Sequence, residues 1–148
     1  MAGFAIAELV VTLSGTGAEG GYASVMVADA ALTVRLDGTG INPAAAVAAL
    51  PNAATAYAAS TEVAHLKPGE RVLVNGALGG LASAFPGVAR TLGAASVTGT
   101  ARRSSLAAAR AAALPYDEVI ASEDLLTAHD GQRRAENGSV AGRILLAP

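Results

Sequence analysis

An α/β fold, in which helices flank a parallel sheet, is predicted by three observations within residues 67–100. Arg71-Val72-Leu73-Val74 is a short run rich in β-branched residues, as a strand covered on both faces should be. Gly76, Gly79 and Gly80 follow at once, ahead of a helical stretch from about Leu81 to Leu92. Ser96 to Thr100 then reads as a second buried strand. Strand, glycine loop, helix and strand make a βαβ unit. Glycines at such a turn let backbone N–H groups approach an anion, and the start of the helix adds partial positive charge. The spacing Gly-x-x-Gly-Gly-x-Ala misses the strict dinucleotide pattern G-x-G-x-x-G. Any strand-to-helix turn tolerates glycine, so spacing alone leaves open both an anion site and a plain turn.

Composition narrows the function classes. At 148 residues the chain suits one domain with a real core, and 52% hydrophobic against 15% charged residues is a globular balance. A net charge of −2 and 3% aromatics give nucleic acid neither an electrostatic footprint nor a stacking platform. The absence of cysteine excludes disulfides and thiolate metal sites, and the two histidines, His65 and His129, lie in no ligand cluster, so no metal is expected. No apolar run reaches the length of a membrane span. The first basic side chain is Arg35, which is unlike a secretory leader, so a cytoplasmic location is the expectation. The Asn137-Gly138-Ser139 sequon then reads as chance.

In chain order, a strand is expected from about Ala7 to Leu13, followed by a glycine-rich loop from Ser14 to Gly21. Tyr22–Val27 and Ala31–Leu36 are β-rich, and Asp37-Gly38 is a turn. Asn42 is an N-cap with Pro43 in the first helical position, so a short helix runs over Ala44–Leu50 until Pro51 stops it. A second helix spans about Ala53 to Leu66, and Lys67-Pro68-Gly69-Glu70 is a turn. Beyond the βαβ unit, Ser105–Leu114 is an alanine-rich helix and Glu118–Ala121 a third strand. Asp124–Asn137 is a polar helix capped by Gly138, and Arg143–Leu146 is the last strand.

The segment RVLVNGALGGLASAFPGVARTLGAASVTGTARRSS resembles the cofactor-binding segment of medium-chain dehydrogenase/reductases, in particular their zinc-free quinone oxidoreductase and enoyl reductase branch. The similarity extends to Gly20-Gly21-Tyr22-Ala23, Leu50-Pro51 and Thr55-Ala56-Tyr57 upstream. Downstream it reaches Asp117-Glu118-Val119-Ile120, Ala128-His129 and Gly138 to Leu146. The resemblance implies a partial Rossmann-like parallel sheet with flanking helices, plus a remnant of a GroES-like β region. It divides the chain into that remnant (1–42), a partial nucleotide-binding unit (43–123), and a C-terminal helix and strand returning to the β region (124–148).

It further implies NADPH as cofactor, a small-molecule substrate and a homo-oligomer. Gly76, Gly79 and Gly80 would hold the pyrophosphate, and Leu81 and Thr100 are also expected among the cofactor-binding residues. Thr55 and Tyr57 would flank the nicotinamide, Tyr57 doubling as a guess for the proton donor beside water. Read without the family, Tyr57 is an amphipathic helix residue with its hydroxyl at the surface. The second strand ends Thr100-Ala101-Arg102-Arg103, with no carboxylate for a free ribose 2′-hydroxyl. Two guanidinium groups suit a 2′-phosphate instead. Cations at a helix start oppose its dipole, and an anionic partner gives them a reason.

Departures from the family pattern bear on function. Ala82 stands where the last glycine of the loop is usual, Pro86-Gly87 falls inside the expected helix, and Ser24-Val25 and Pro115-Tyr116 replace family residues. A proline in a helix interior costs about 3 kcal/mol or more. Ser122-Glu123-Asp124 jumps almost directly to the C-terminal helix, so the chain reads as an abbreviated member in which only the first mononucleotide half is evident. The expected function is an NADPH-dependent reductase of quinones or enones. The alternatives are a non-redox cyclase or isomerase of secondary metabolism, which needs an acid–base pair, and an inert binding subunit with exposed apolar surface.

Overall fold

In a computed structural model of the chain, residues 3–13, 21–126 and 143–145 are described. The chain forms two compact units, Met1–Pro51 and Asn52–Pro148. In the first, strands β1 (Val10–Thr12) and β2 (Thr33–Arg35) pair antiparallel, with Val11 opposite Val34. The strand expected from Ala7 is shorter because Ala7 has φ +66°, which no extended residue adopts. Tyr22–Val27, expected as β, forms no strand and is exposed. The lead into β2 is a 3-10 turn, Ala30–Leu32, capped by the Asp29 carboxylate.

Helix α1 runs unbroken from Pro43 to Ala58, so Pro51 lies inside it instead of ending it. Asn42 caps it as expected, its Oδ1 accepting from Ala44 and Ala45 at 2.9 and 3.2 Å. Nine alanines among its 16 residues explain the continuation: alanine has the highest helix propensity and offsets the bond Pro51 cannot donate. The expected second helix is its continuation, closing in a π-helical turn at Ala59–Val63.

The second unit is built on a four-stranded parallel sheet of order β5-β4-β3-β6: β3 is Arg71–Val74, β4 Ser96–Ala101, β5 Glu118–Ala121 and β6 Arg143–Leu145. Register places Val72 beside Val97 and Val74 beside Gly99. Alternation then puts Val72, Val74, Val97, Ala101 and Val119 on one face. Helices α2 (Phe85–Thr91) and α3 (Leu106–Ala111) cover that face, and Phe85, Ala89 and Ala109 are buried against it. Each fully buried valine contributes about 1.5–3 kcal/mol. Leu73, on the other face, is half-buried, so β3 alternates where uniform burial is expected.

Pro86 breaks no helix. A 3-10 turn, Ala82–Ala84, precedes α2, and Pro86 sits in the first turn of α2, where its missing N–H costs nothing. The expected helix over Leu81–Leu92 is therefore two pieces joined where the proline requires. The expected helix at Ser105–Leu114 likewise opens with a 3-10 turn (Arg103–Ser105) and ends at Ala111. Helix α4 starts at Ser122, directly after β5, and its described part ends at Leu126. His129, Gly138 and the sequon lie outside the described residues. β6 pairs with β3, whereas the sequence suggests a return to the N-terminal β region. It occupies the position in which a doubly wound sheet reverses its strand order.

Candidate functional site

The order β5-β4-β3-β6 is one in which two strands, β4 and β5, add outward from β3 on one side and the next lies on the other. At such a reversal, the loops leaving the carboxyl ends of the strands diverge and open a crevice. The loop leaving β3 there is Asn75–Leu81, which holds the glycines that the sequence singles out.

Its shape comes from β4. Thr100 is fully buried; its hydroxyl donates to Asn75 Oδ1 at 2.7 Å and accepts from the Gly76 N–H at 3.2 Å. The Ala77 N–H donates to the Thr100 carbonyl at 2.7 Å. Gly76 takes φ +75°, a conformation that L side chains rarely adopt. Ala77 is thereby laid over Gly99: a Cβ there would lie 2.8 Å from Ala77 Cβ and 3.0 Å from the Tyr116 ring. The Tyr116 hydroxyl donates to the Ala82 carbonyl at 2.7 Å, fixing the exit of the loop. Burial pushes the Tyr116 phenol up to about 12, so it remains a donor across the neutral range.

Gly79 closes a turn, its N–H donating to the Gly76 carbonyl at 2.7 Å, while its own carbonyl accepts from Ser83. Among the described residues, the N–H groups of Gly80 and Leu81 donate to no backbone carbonyl outside regular elements, and they are available to an acceptor from outside the chain. Thus Gly76, Gly79, Gly80, Leu81 and Thr100 form one structure. Thr100 takes part as its internal brace, since both of its hydroxyl's partners lie within the loop.

Arg102 and Arg103 follow β4 and separate in role. The Arg103 N–H donates to both Glu123 carboxylate oxygens at 3.0 and 3.1 Å, and its guanidinium meets Asp124 at 2.5 Å. The hydrogen bond from the Arg103 N–H holds the Glu123 carboxyl below its ordinary value. Arg102 is exposed, and its guanidinium has no ion pair or hydrogen bond among the described residues. The sequence misses this split: the strand carrying the arginines ends without a carboxylate, but the acids arrive from α4, the helix that follows the next strand.

Thr55 and Tyr57 are exposed on α1. The inward side of that helix carries Ala56, with Ser60 in the π-helical turn that continues it, both at 0% exposure, and, one turn before Ala56, Asn52. The Ser60 hydroxyl is buried without a partner among the described residues. Asn52 lies beside the loop, 3.7 Å from where a Cβ on Gly80 would stand. Tyr57 is 53% exposed, and its hydroxyl makes no hydrogen bond among the described residues. No group of three or more metal-binding side chains occurs among the described residues. Among those residues, no helix is long and apolar enough to cross a membrane.

No family model matches the sequence, and neither does any curated protein. Solved structures do match the fold. An alcohol dehydrogenase superfamily protein from Novosphingobium aromaticivorans superposes with a TM-score of 0.73 over 99% of this chain and 50% of its own, at 21% identity. A quinone oxidoreductase from Pseudomonas syringae pv. Tomato DC3000 gives 0.63 over 97% of this chain and 48% of its own, at 26% identity. A mycobacterial protein solved in complex with NADPH gives 0.53 over 74% and 33%, at 27% identity. The chain has the Rossmann-type fold of these medium-chain oxidoreductases. It spans half or less of the length of each of these three structures.

Proposed function

We propose that the chain binds NADPH and serves an oxidoreductase that reduces quinones or activated enones by hydride transfer. The observation that carries this reading is the placement of a braced glycine loop, with the Gly80 and Leu81 N–H groups available, at the reversal of a parallel sheet. The residues present suit a dinucleotide. Gly80 carries no side chain between the loop backbone and the Asn52 amide, and Arg102 follows β4 with no ion pair among the described residues. The likeness to a quinone oxidoreductase at 26% identity and to an NADPH complex at 27% supports the same choice.

Bound NADPH supplies the hydride, so the protein has only to bind, orient and exclude water. In this reading the loop N–H groups would donate to the pyrophosphate oxygens, and Arg102 would hold the ribose 2′-phosphate with charge-assisted hydrogen bonds. Arg103, held by Glu123 and Asp124, sets the turn from which Arg102 projects. Thr55 flanks the nicotinamide, and Tyr57 or water supplies the proton. A second copy of the chain completes the substrate side, which is the oligomer expected from the sequence.

The test is single-turnover chemistry with NADPH carrying deuterium at the transferable position, against a panel of quinones and conjugated enones. Deuterium in the reduced product supports the reading. Folded protein that transfers none to any acceptor overturns it.

A further inference from the structure

The geometry points to Asn52 as a side-chain ligand of the dinucleotide's pyrophosphate, an inference that rests on the cofactor reading above. Asn52 stands at the inner face of α1, one turn before the fully buried Ala56, where the core opens onto the glycine loop. A half-buried asparagine inside an alanine-rich helix is a poor local choice, because its amide favours caps and turns over helix interiors. This amide has no hydrogen-bond partner among the described residues, so a ligand oxygen can take it without breaking a bond within the chain. Its Nδ2 atom faces Gly80, 3.7 Å from an ideal Cβ built there.

That distance has two consequences. It is ordinary van der Waals contact, so Gly80 is not glycine to avoid Asn52. The absent side chain instead leaves a space bounded by the Asn52 amide and the Gly80 backbone. An anionic oxygen seated in it meets side-chain and main-chain N–H donors together, as phosphate sites require. Arg102 lies elsewhere, beyond the end of β4, so the two residues read different phosphates of one ligand.

Two fragments separate them by calorimetry on the full chain. ADP-ribose carries the pyrophosphate without a 2′-phosphate, and adenosine 2′-monophosphate carries the reverse. Asn52→Asp sets a carboxylate against the anion, and loss of a charge-assisted bond plus repulsion lowers ADP-ribose affinity about ten-fold or more. Gly80→Ala fills the space without a clash, keeping the melting temperature while lowering the same affinity. Both variants bind adenosine 2′-monophosphate as the parent does, whereas Arg102→Ala shows the opposite pattern. If Asn52→Asp fails to fold, Asn52→Ala decides the point with a smaller loss in the same direction. Parent-like ADP-ribose binding by the folded Asn52 variant overturns the inference and leaves the cofactor reading intact. A parent chain that binds neither ADP-ribose nor NADPH overturns both.

Discussion

Gly99 permits the whole loop above it. With Ala77 Cβ only 2.8 Å and the Tyr116 ring 3.0 Å from any Cβ at that position, Gly99→Ala forces a packed core apart. The expected cost is about 1–3 kcal/mol, read as a lower midpoint in urea unfolding with an unchanged slope. Thr100 makes the complementary point with a hydrogen bond. Thr100→Val keeps the shape but removes the hydrogen bonds to Asn75 Oδ1 and from the Gly76 N–H, costing about 0.5–1.5 kcal/mol for each since both exposed partners can turn to water. It should also weaken cofactor binding although Thr100 itself is buried, and a parent-like affinity would show that the brace does not hold the loop in its binding form. Asp117 is a pH sensor of stability. Its carboxylate accepts from the Val97 N–H at 2.6 Å and from Arg90 at 2.7 Å, and those bonds lower its pKa from 3.8. A depressed carboxylate stabilises the fold above its unfolded value and loses that contribution as pH falls through the folded one. Melting curves should therefore show the parent's advantage over Asp117→Asn at pH 7 shrinking below about pH 3.8, the ordinary value. An advantage that grows in acid would contradict the assignment.

At the scale of elements, the two helical prolines make opposite predictions. Pro51 lies in the interior of α1, where it cannot donate to the carbonyl one turn back; Pro86 lies in the first turn of α2, where no donation is required. Pro51→Ala should raise the melting temperature, by up to the equivalent of about 3 kcal/mol. Pro86→Ala should leave it level or lower it slightly, since proline there also restricts the unfolded chain. The same contrast explains what could be read from the sequence. Arg71–Val74 and Glu118–Ala121 form strands at the expected bounds because buried parallel strands are local, dense apolar runs between turn residues. The expected helix end at Leu50 is misplaced because Pro51 is accommodated inside α1, while Pro86, expected in a helix interior, lies in the first turn of α2. Tyr22–Val27 shows the reverse error, since β-branched composition makes no strand without a partner to pair with.

For the whole molecule, the decisive fact was the least local. Nothing in Arg143-Ile144-Leu145 says which strand it joins, and only pairing with β3 gives the sheet its reversal. The sequence shows the glycine loop and both arginines, which are contiguous motifs. It does not show that Thr100 braces the loop, that Glu123 and Asp124 claim Arg103, or that Asn52 reaches Gly80. Those are contacts between residues 20 or more positions apart. The central claim is a cofactor site in which one of two adjacent arginines reads the 2′-phosphate. Calorimetry with NADPH and NADH on the parent, Arg102→Ala and Arg103→Ala tests it directly. The account predicts that the parent prefers NADPH, that Arg102→Ala abolishes this preference, and that Arg103→Ala largely keeps it. Folded protein that binds neither cofactor, or that loses its preference only when Arg103 is removed, would contradict it.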